Sequence, residues 1–354
     1  MTASAQISSA RFSIESPCTS SDAWNRYVES HPKGSIFHTS GMKAALDATP
    51  KHTPYFIAAR NKELPDSPIV ALLASCQVDT LSGTFSRIAS RSVWFAEPIC
   101  DPTEEGRDGL SELIRQHDEK LGRKVLFTEI RPIQDRGIES ETLLDASFES
   151  YDYLNYVVDL SVDEQTLWNN LSKSARKQIK KCQNKGVHLS RVAGPEAVQQ
   201  MYQCVQSSYL RSGIPLADIK LFLASLEEFD EQCIDIRLAK YEGRIVAGGI
   251  TLKFGDRVFA WYGGAERVTG LSPFSLLTWD EIKCGNREGF RYYDFGGAGV
   301  PERPYGPREF KAKFGGELVN FGRYRKINSK FCFYAAETAF KILKQNRLFG
   351  QKSS

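Results

Sequence analysis

FRYYDFGGAGVPERPYGPREFKAKFGG, from Phe290 to Gly316, is the stretch that decides how this chain is read. Arg291 to Phe295 reads as a short strand, followed by a long loop rich in glycine and proline that ends in Phe310-Lys311. Gly296 and Gly297, directly after the strand, permit positive φ and a close approach of backbone to a ligand. Pro301, Pro304 and Pro307 each fix φ, so the loop is stiffened at intervals. Lys311 then stands where a cation can be held beside a reacting group, against the plainer alternative of a solvated lysine. A loop of this length and composition inside a compact domain is more often functional than idle.

Immediately upstream, the segment Gly263 to Pro273 joins a strand (Arg257 to Tyr262) to a helix beginning at Pro273. Ser272 is a natural N-cap and Pro273 fits the first helical position. A helix start of this kind offers free N–H groups to a pyrophosphate or carboxylate. Tyr262 and Asp294 fall at the ends of neighbouring strands, where polar groups of α/β proteins face a cleft. Arg211, with Gly213 and Pro215, closes a helix carrying Tyr202 and Tyr209; a C-cap with a dipole-complementing arginine is the competing reading.

Around residue 161 a helix is expected to open on Ser161-Val-Asp-Glu164 as a capping box and to run to Gly186. Leu167, Leu171, Ala175, Ile179 and Cys182 make its apolar stripe, with Lys173, Arg176, Lys177, Lys180 and Lys181 opposite. Such a basic face can track a phosphate backbone, although a solvated face has the same pattern. The N-terminal half shows helices at Asp22–Glu29 and Ile36–Thr49, three strands between Tyr55 and Phe95, a helix near 102–121 and a strand at Val125–Ile130. One coarse order of helices and strands appears twice, which predicts two related α/β domains of mixed sheets, 1–155 and 156–327. A closing amphipathic helix within 328–354 is expected to pack back on the first domain.

Composition limits the function. The 354 residues suit two domains with cores of their own, at 41% hydrophobic and 25% charged. A net charge of +3 does not by itself indicate nucleic acid, and DNA is not expected as a partner. Eight scattered cysteines without a C-x-x-C give neither a disulfide framework nor a zinc site. His38 and His188 lack triad or metal partners at useful spacing. No signal-peptide pattern and no apolar run near the ~20 residues of a membrane helix are present, so a cytoplasmic protein is expected, with peripheral contact at the inner membrane face open to it.

These motifs together resemble the Fem family of aminoacyltransferases and its acyltransferase relatives. The resemblance rests on His31-Pro-x-x-Ser35-x-Phe37, Trp168-x-x-Leu171, Ser174-x-Arg176 through Lys180-Lys, and Arg211-x-Gly213-x-Pro215. It rests further on Tyr262-x-Gly264, Gly289 through Asp294-Phe-Gly-Gly, and Phe310-Lys311-x-x-Phe314-Gly. Arg267-x-x-Gly270-x-Ser272 is also similar to the donor-binding turn of GNAT acyltransferases, with Ser in place of Gly or Ala. The resemblance implies two tandem GNAT-like domains, each a mostly antiparallel sheet flanked by helices, with the transferase site in the second. It implies transfer of an acyl or aminoacyl group from an activated donor to an amine of an envelope glycan or peptide precursor. No permanently bound cofactor follows from it, and no metal. The expected donor is acyl-CoA, held by Arg267, Gly270 and Ser272, with aminoacyl-tRNA as the alternative; a silent glycan-binding scaffold is the third reading. Lys311 matches the family's lysine that neutralises charge at the reacting carbonyl, and Arg211 an arginine near the acceptor. Asp294 is expected to orient the amine or relay its proton and Tyr262 to act as hydrogen-bond donor or acid, with Phe310 and Tyr305 contacting substrate. Met42 and Ala45 stand where the family has Trp and Lys, which turns the expectation from a muropeptide toward another envelope or exopolysaccharide acceptor.

Overall fold

The computed structural model describes residues 11–17, 22–79, 90–212, 215–330, 333 and 338. Its helices are α1 (Asp22–Ser30), α2 (Ser40–Asp47), α3 (Glu104–Leu121), α4 (Glu139–Asp145), α5 (Glu164–Asn170), α6 (Lys173–Asn184), α7 (Pro195–Ser212), α8 (Ile219–Glu228), α9 (Pro273–Arg287) and α10 (Gly306–Lys311). The strands are β1 (Phe12–Glu15), β2 (His52–Asn61), β3 (Ile69–Asp79), β4 (Ser90–Trp94), β5 (Ile99–Cys100), β6 (Phe127–Ile130), β7 (Glu149–Tyr151) and β8 (Leu154–Asp159). They continue with β9 (His188–Val192), β10 (Ile234–Tyr241), β11 (Arg244–Phe254), β12 (Arg257–Ala265), β13 (Tyr292–Gly299), β14 (Glu317–Val319) and β15 (Arg323–Ile327).

The chain divides into two units. The first comprises Met1–Lys33, Lys51–Tyr151 and Gly322–Ser354, the second Gly34–Pro50 and Asp152–Phe321. The division at 151/152 lies a few residues from the expected boundary. Residues 322–327, expected in the second domain, belong to the first, where β15 pairs β6 and β7. The segment 34–50, in turn, belongs to the second unit rather than the first. Its reason is local: Gly41 lies so close to Phe229 that an added Cβ would sit 3.0 Å from the ring, and Phe37 meets Phe259 edge-on at 5.2 Å. The expected closing helix falls almost wholly outside the described residues.

Each unit holds one sheet, ordered β1-β2-β3-β4-β6-β15-β7 with β5 on β3, and β14-β8-β13-β12-β11-β10-β9. Each sheet is antiparallel except for one short parallel pair, β4 with β6 and β12 with β13. In the second unit the core gathers Leu167, Leu171, Ala175, Ile179 and Cys182 with Leu276, Leu277, Trp279, Tyr293 and Phe314. The apolar stripe expected near residue 161 is therefore the buried one, but the helix carrying it is two helices. Leu171 adopts extended backbone and Ser172 caps α6 by accepting the amide of Ala175. The first of them opens on Asp163, which accepts from Thr166, not on a Ser161 capping box. A side-chain acceptor placed at 172 gives the chain an alternative to continuing the helix.

Two pairs of adjacent glycines seat the helices on the second sheet. A Cβ at Gly248 or Gly264 would strike α7 at Met201 or at Val205 and Ser208, and one at Gly249 or Gly263 would strike α9 at Glu281 or Phe274. Small residues on both strands thus let α7 and α9 approach opposite faces of β11 and β12.

Candidate active site

The parallel pair fixes the site. β12 and β13 are in register over only three positions, Arg257↔Tyr292, Val258↔Tyr293 and Phe259↔Asp294. Beyond them β12 runs on to Ala265 beside β11, while β13 follows β8 with irregular register at Gly297 and Gly299. Phe259 to Gly263 are consequently half-exposed in what is otherwise an inner strand. A β-bulge opposite Ile250/Thr251 inserts Trp261. Two successive residues at a bulge can share a face, and Trp261 and Tyr262 both meet Phe222 of α8, at 5.3 and 4.9 Å. Tyr209 of α7 lies 5.9 Å from Tyr262. Burial, with the neighbouring Tyr262 and Tyr305, pushes the Tyr209 hydroxyl well above the usual phenol range.

β13 is longer than the sequence suggests, reaching Gly299, and the reason lies in α10. Arg308 and Lys311 are three apart, so they share one helix face. Lys311 Nζ donates to the carbonyls of Phe295 (2.6 Å), Gly296 (3.3 Å) and Gly297 (2.7 Å). The Arg308 guanidinium donates to Ala298 O (2.7 Å), Pro301 O (3.2 Å) and Val300 O. Two cations thus take the place of a partner strand for six carbonyls. Gly296 has φ +67°, in the region glycine tolerates, and Gly299 has φ +81° with Tyr305 packed against it.

Asp294 is fully buried. Its Oδ2 accepts from Arg257 Nη1 at 2.9 Å and its Oδ1 from the amide of Gly296 at 2.7 Å. Burial raises its proton affinity, against the attraction of Arg257 and Lys311. Burial acts on Lys311 in the opposite sense and pushes it down to about 8, with Asp294 resisting. The expected pair is thus brought together, but with both carboxylate oxygens engaged by the protein. This places Asp294 at the β13 bend, where it holds the Gly296 amide and faces Lys311. An ammonium has three donors, and all three of Lys311 point at carbonyls; the bond to Gly296 is the longest.

The other expected residues fall into two places. Phe310 stacks on Phe274 of α9 (5.4 Å, 22° between planes) and meets Phe314 at 5.2 Å, contacts that anchor α10. Arg211 is exposed and donates to the carbonyl of Ala265 at the end of β12. Arg267 and Gly270 are exposed in the turn before α9, Gly270 with φ +74° and Lys181 Nζ 3.2 Å from where its Cβ would be. Ser272 precedes α9 but makes no side-chain cap; its hydroxyl pairs with that of Ser275 at 2.8 Å. Beside this turn, Trp168, Arg176, Lys177, Lys180, Lys181, Asn184 and Lys185 line a groove of about 620 Å³. Arg176 is spent on the last carbonyls of α5, Asn169 and Leu171 among them, and Lys180 lies over the Trp168 ring at 5.7 Å. Arg257, Arg308 and Tyr209 were not singled out from the sequence. The three-residue spacing of Arg308 and Lys311 after Gly306-Pro307 was the available signal.

A metal does not fit. Among the described residues Asp235, Cys284 and Glu288 converge as a ligand set would, but Lys253 Nζ stands between the two acids, 3.3 and 2.5 Å from them.

Residues 169–312 match the acetyltransferase (GNAT) domain family. The chain is 24% identical over 147 residues, 41% of its length, to UDP-N-acetylmuramoylpentapeptide-lysine N(6)-alanyltransferase of Weissella viridescens. This chain is thus similar to GNAT acyltransferases and to a Fem-type alanyltransferase. The aligned part spans 44% of that curated relative. In fold it is similar to the crystal structure of FemX, with a TM-score of 0.67 and 13% identity, covering 89% of this chain and 97% of that one. It is similar also to a tandem GNAT protein from the clavulanic acid biosynthesis pathway, with a TM-score of 0.56 and 10% identity, covering 90% and 99%. Among the described residues no helix is long and apolar enough to cross a membrane.

Proposed function

We propose that this protein is an acyltransferase that moves an aminoacyl or acyl group from an activated donor to an amine of a cell-envelope or exopolysaccharide precursor. The observation that carries this reading is the buried Lys311 ammonium held on β13 where β12 and β13 part. Attack of a neutral amine on the donor carbonyl makes an oxyanion, which then collapses and expels the leaving group while the amine loses its proton. Lys311 supports that oxyanion by exchanging its weak bond to Gly296 for one to the substrate. Preorganised donors in a water-poor site contribute ~3 kcal/mol to such a step. Held at about 8, the lysine keeps its proton at neutral pH and loses it in mild alkali.

The donor side lies along α6. Lys177, Lys180, Lys181 and Lys185 with Trp168 suit a polyanion bearing bases, which favours aminoacyl-tRNA. The acyl-CoA reading is supported by the Arg267–Pro273 turn, whose helix start fits a pyrophosphate. The acceptor side is aromatic, with Phe37, Phe259, Trp261, Tyr262 and Tyr209, which suits a sugar or apolar body carrying the amine. An envelope precursor as acceptor favours the inner face of the membrane as the place of action.

Direct binding decides between the donors. Salt-sensitive binding of charged tRNA, weakened in a Lys177→Ala/Lys181→Ala variant, with no thermal shift from acyl-CoA supports the first donor. A saturable shift with acyl-CoA and none with tRNA replaces it by the second. Silence from both, with intact fold, overturns the transferase reading.

A further inference from the structure

We propose that Arg257 is a positioning residue which, through Asp294, sets how tightly Lys311 holds its proton. The inference rests on the transferase reading only for its consequence; the linkage itself is geometric. Arg257 stands at the first of the three paired positions of β12 and β13, its guanidinium on Asp294 Oδ2 at 2.9 Å and 5.1 Å from the Tyr292 ring. The other oxygen of Asp294 takes the amide of Gly296, and the carbonyl of that same residue is one of the three that hold Lys311. One residue at φ +67° therefore joins acid and base by its two backbone groups.

The ionisable groups packed on this backbone are few. Asp294 comes from β13, Arg257 from β12, and Arg308 from the helix of Lys311 itself; Tyr153 lies against Gly297 and Tyr305 against Gly299. Toward Gly296 the nearest side chain is the apolar ring of Phe259. Among the described residues Asp294 is thus the carboxylate placed to favour the charged lysine, and Arg257 divides its attraction. Removing Arg257 takes away a like charge and leaves Asp294 to Lys311 alone. Both effects tighten the lysine's hold on its proton.

The test is competitive labelling of the Lys311 amine with acetic anhydride across pH in the whole protein, read by mass spectrometry against other lysines. In wild type the labelling midpoint falls near 8. Arg257→Met is expected to move it upward by about one unit, tenfold in proton affinity, and Arg257→Lys to restore it. An unmoved midpoint in folded Arg257→Met overturns the proposal. Should that variant not fold, Asp294→Asn keeps an acceptor for Gly296 and is expected to lower the midpoint below the wild-type value; no change there also overturns it. Labelling needs neither donor nor acceptor, so a failure of the transferase reading leaves this result legible, and the reverse holds too.

Discussion

The two units carry the same device, a short parallel pair in an antiparallel sheet, and treat it in opposite ways. In the first unit β4 and β6 pair over Ser92↔Thr128 to Trp94↔Ile130, and the chains stay tied beyond that point. The amide of Arg131 donates to Trp94 O, and Glu97 accepts the amide of Ile133 at 3.0 Å. Trp94 is fully buried, its indole N–H on His117 Nε2 at 3.3 Å, and Ser92 meets the same nitrogen at 2.9 Å. In the second unit the strands separate after Phe259 and Asp294, and β12 goes on beside β11 alone. Backbone that opens inside a sheet has to be satisfied by something; here it is Lys311 and Arg308. The lesson is that one pair is a core and the other a site.

The largest expected effect tests that contrast with two tryptophans. Trp94→Ala should cost the first unit ~3–5 kcal/mol, the range for a large buried aromatic, read as a lower melting temperature. Its effect on transfer should follow folded fraction alone. Trp261→Ala, half-exposed on the bulge, should cost well under half as much stability while reducing transfer or raising the acceptor KM at least tenfold. Equal destabilisation by both would erase the distinction between sealed and open pairs.

Lys311→Met comes next. Loss of the ammonium should lower kcat by roughly 10²–10³, the cost of one lost oxyanion donor, with unfolding shifted by less. Because the lysine is charged below about 8 and neutral above it, wild-type kcat should fall as pH rises through that value. An activity that climbs steadily to pH 10 would remove the charged lysine from the mechanism.

How much of this could be read beforehand differs between the regions. The apolar stripe from Leu167 to Cys182 is legible in the sequence because periodicity reports burial directly. The site's backbone was not legible in the same way. β13 runs on through Gly296-Gly297-Ala298-Gly299, residues with no strand propensity, because two cations 10 to 16 residues further along the chain hold its carbonyls. The attachment of residues 34–50 to the second unit likewise depends on contacts at Phe229 and Phe259, far away in sequence. Lys311 and Asp294 were found as residue types, but the Arg257 that links them is an unremarkable strand residue until the strands are paired.

The smallest expected effect concerns a feature the two units share. Each holds a buried glutamate whose carboxyl is pushed up by burial: Glu97, 3.9 Å from Lys33, and Glu281, which accepts the Tyr293 hydroxyl at 2.6 Å. Burial pushes both up to about 7. A carboxyl that holds its proton more tightly when folded stabilises the fold below the unfolded pKa, and that contribution fades as pH rises toward 7. Between about pH 4.5 and 7 each group should therefore lower stability with rising pH, by on the order of 2–3 kcal/mol. Glu97→Gln and Glu281→Gln retain the acceptor oxygen and remove the titration, so each should flatten the fall in melting temperature over that window. The comparison predicts that they do so to a similar extent, since closure of the strands and burial of the acid are separate properties. A flattening confined to Glu97→Gln would mean that water reaches Glu281 through the parted strands, and the open pair would then be open on both faces of its sheet.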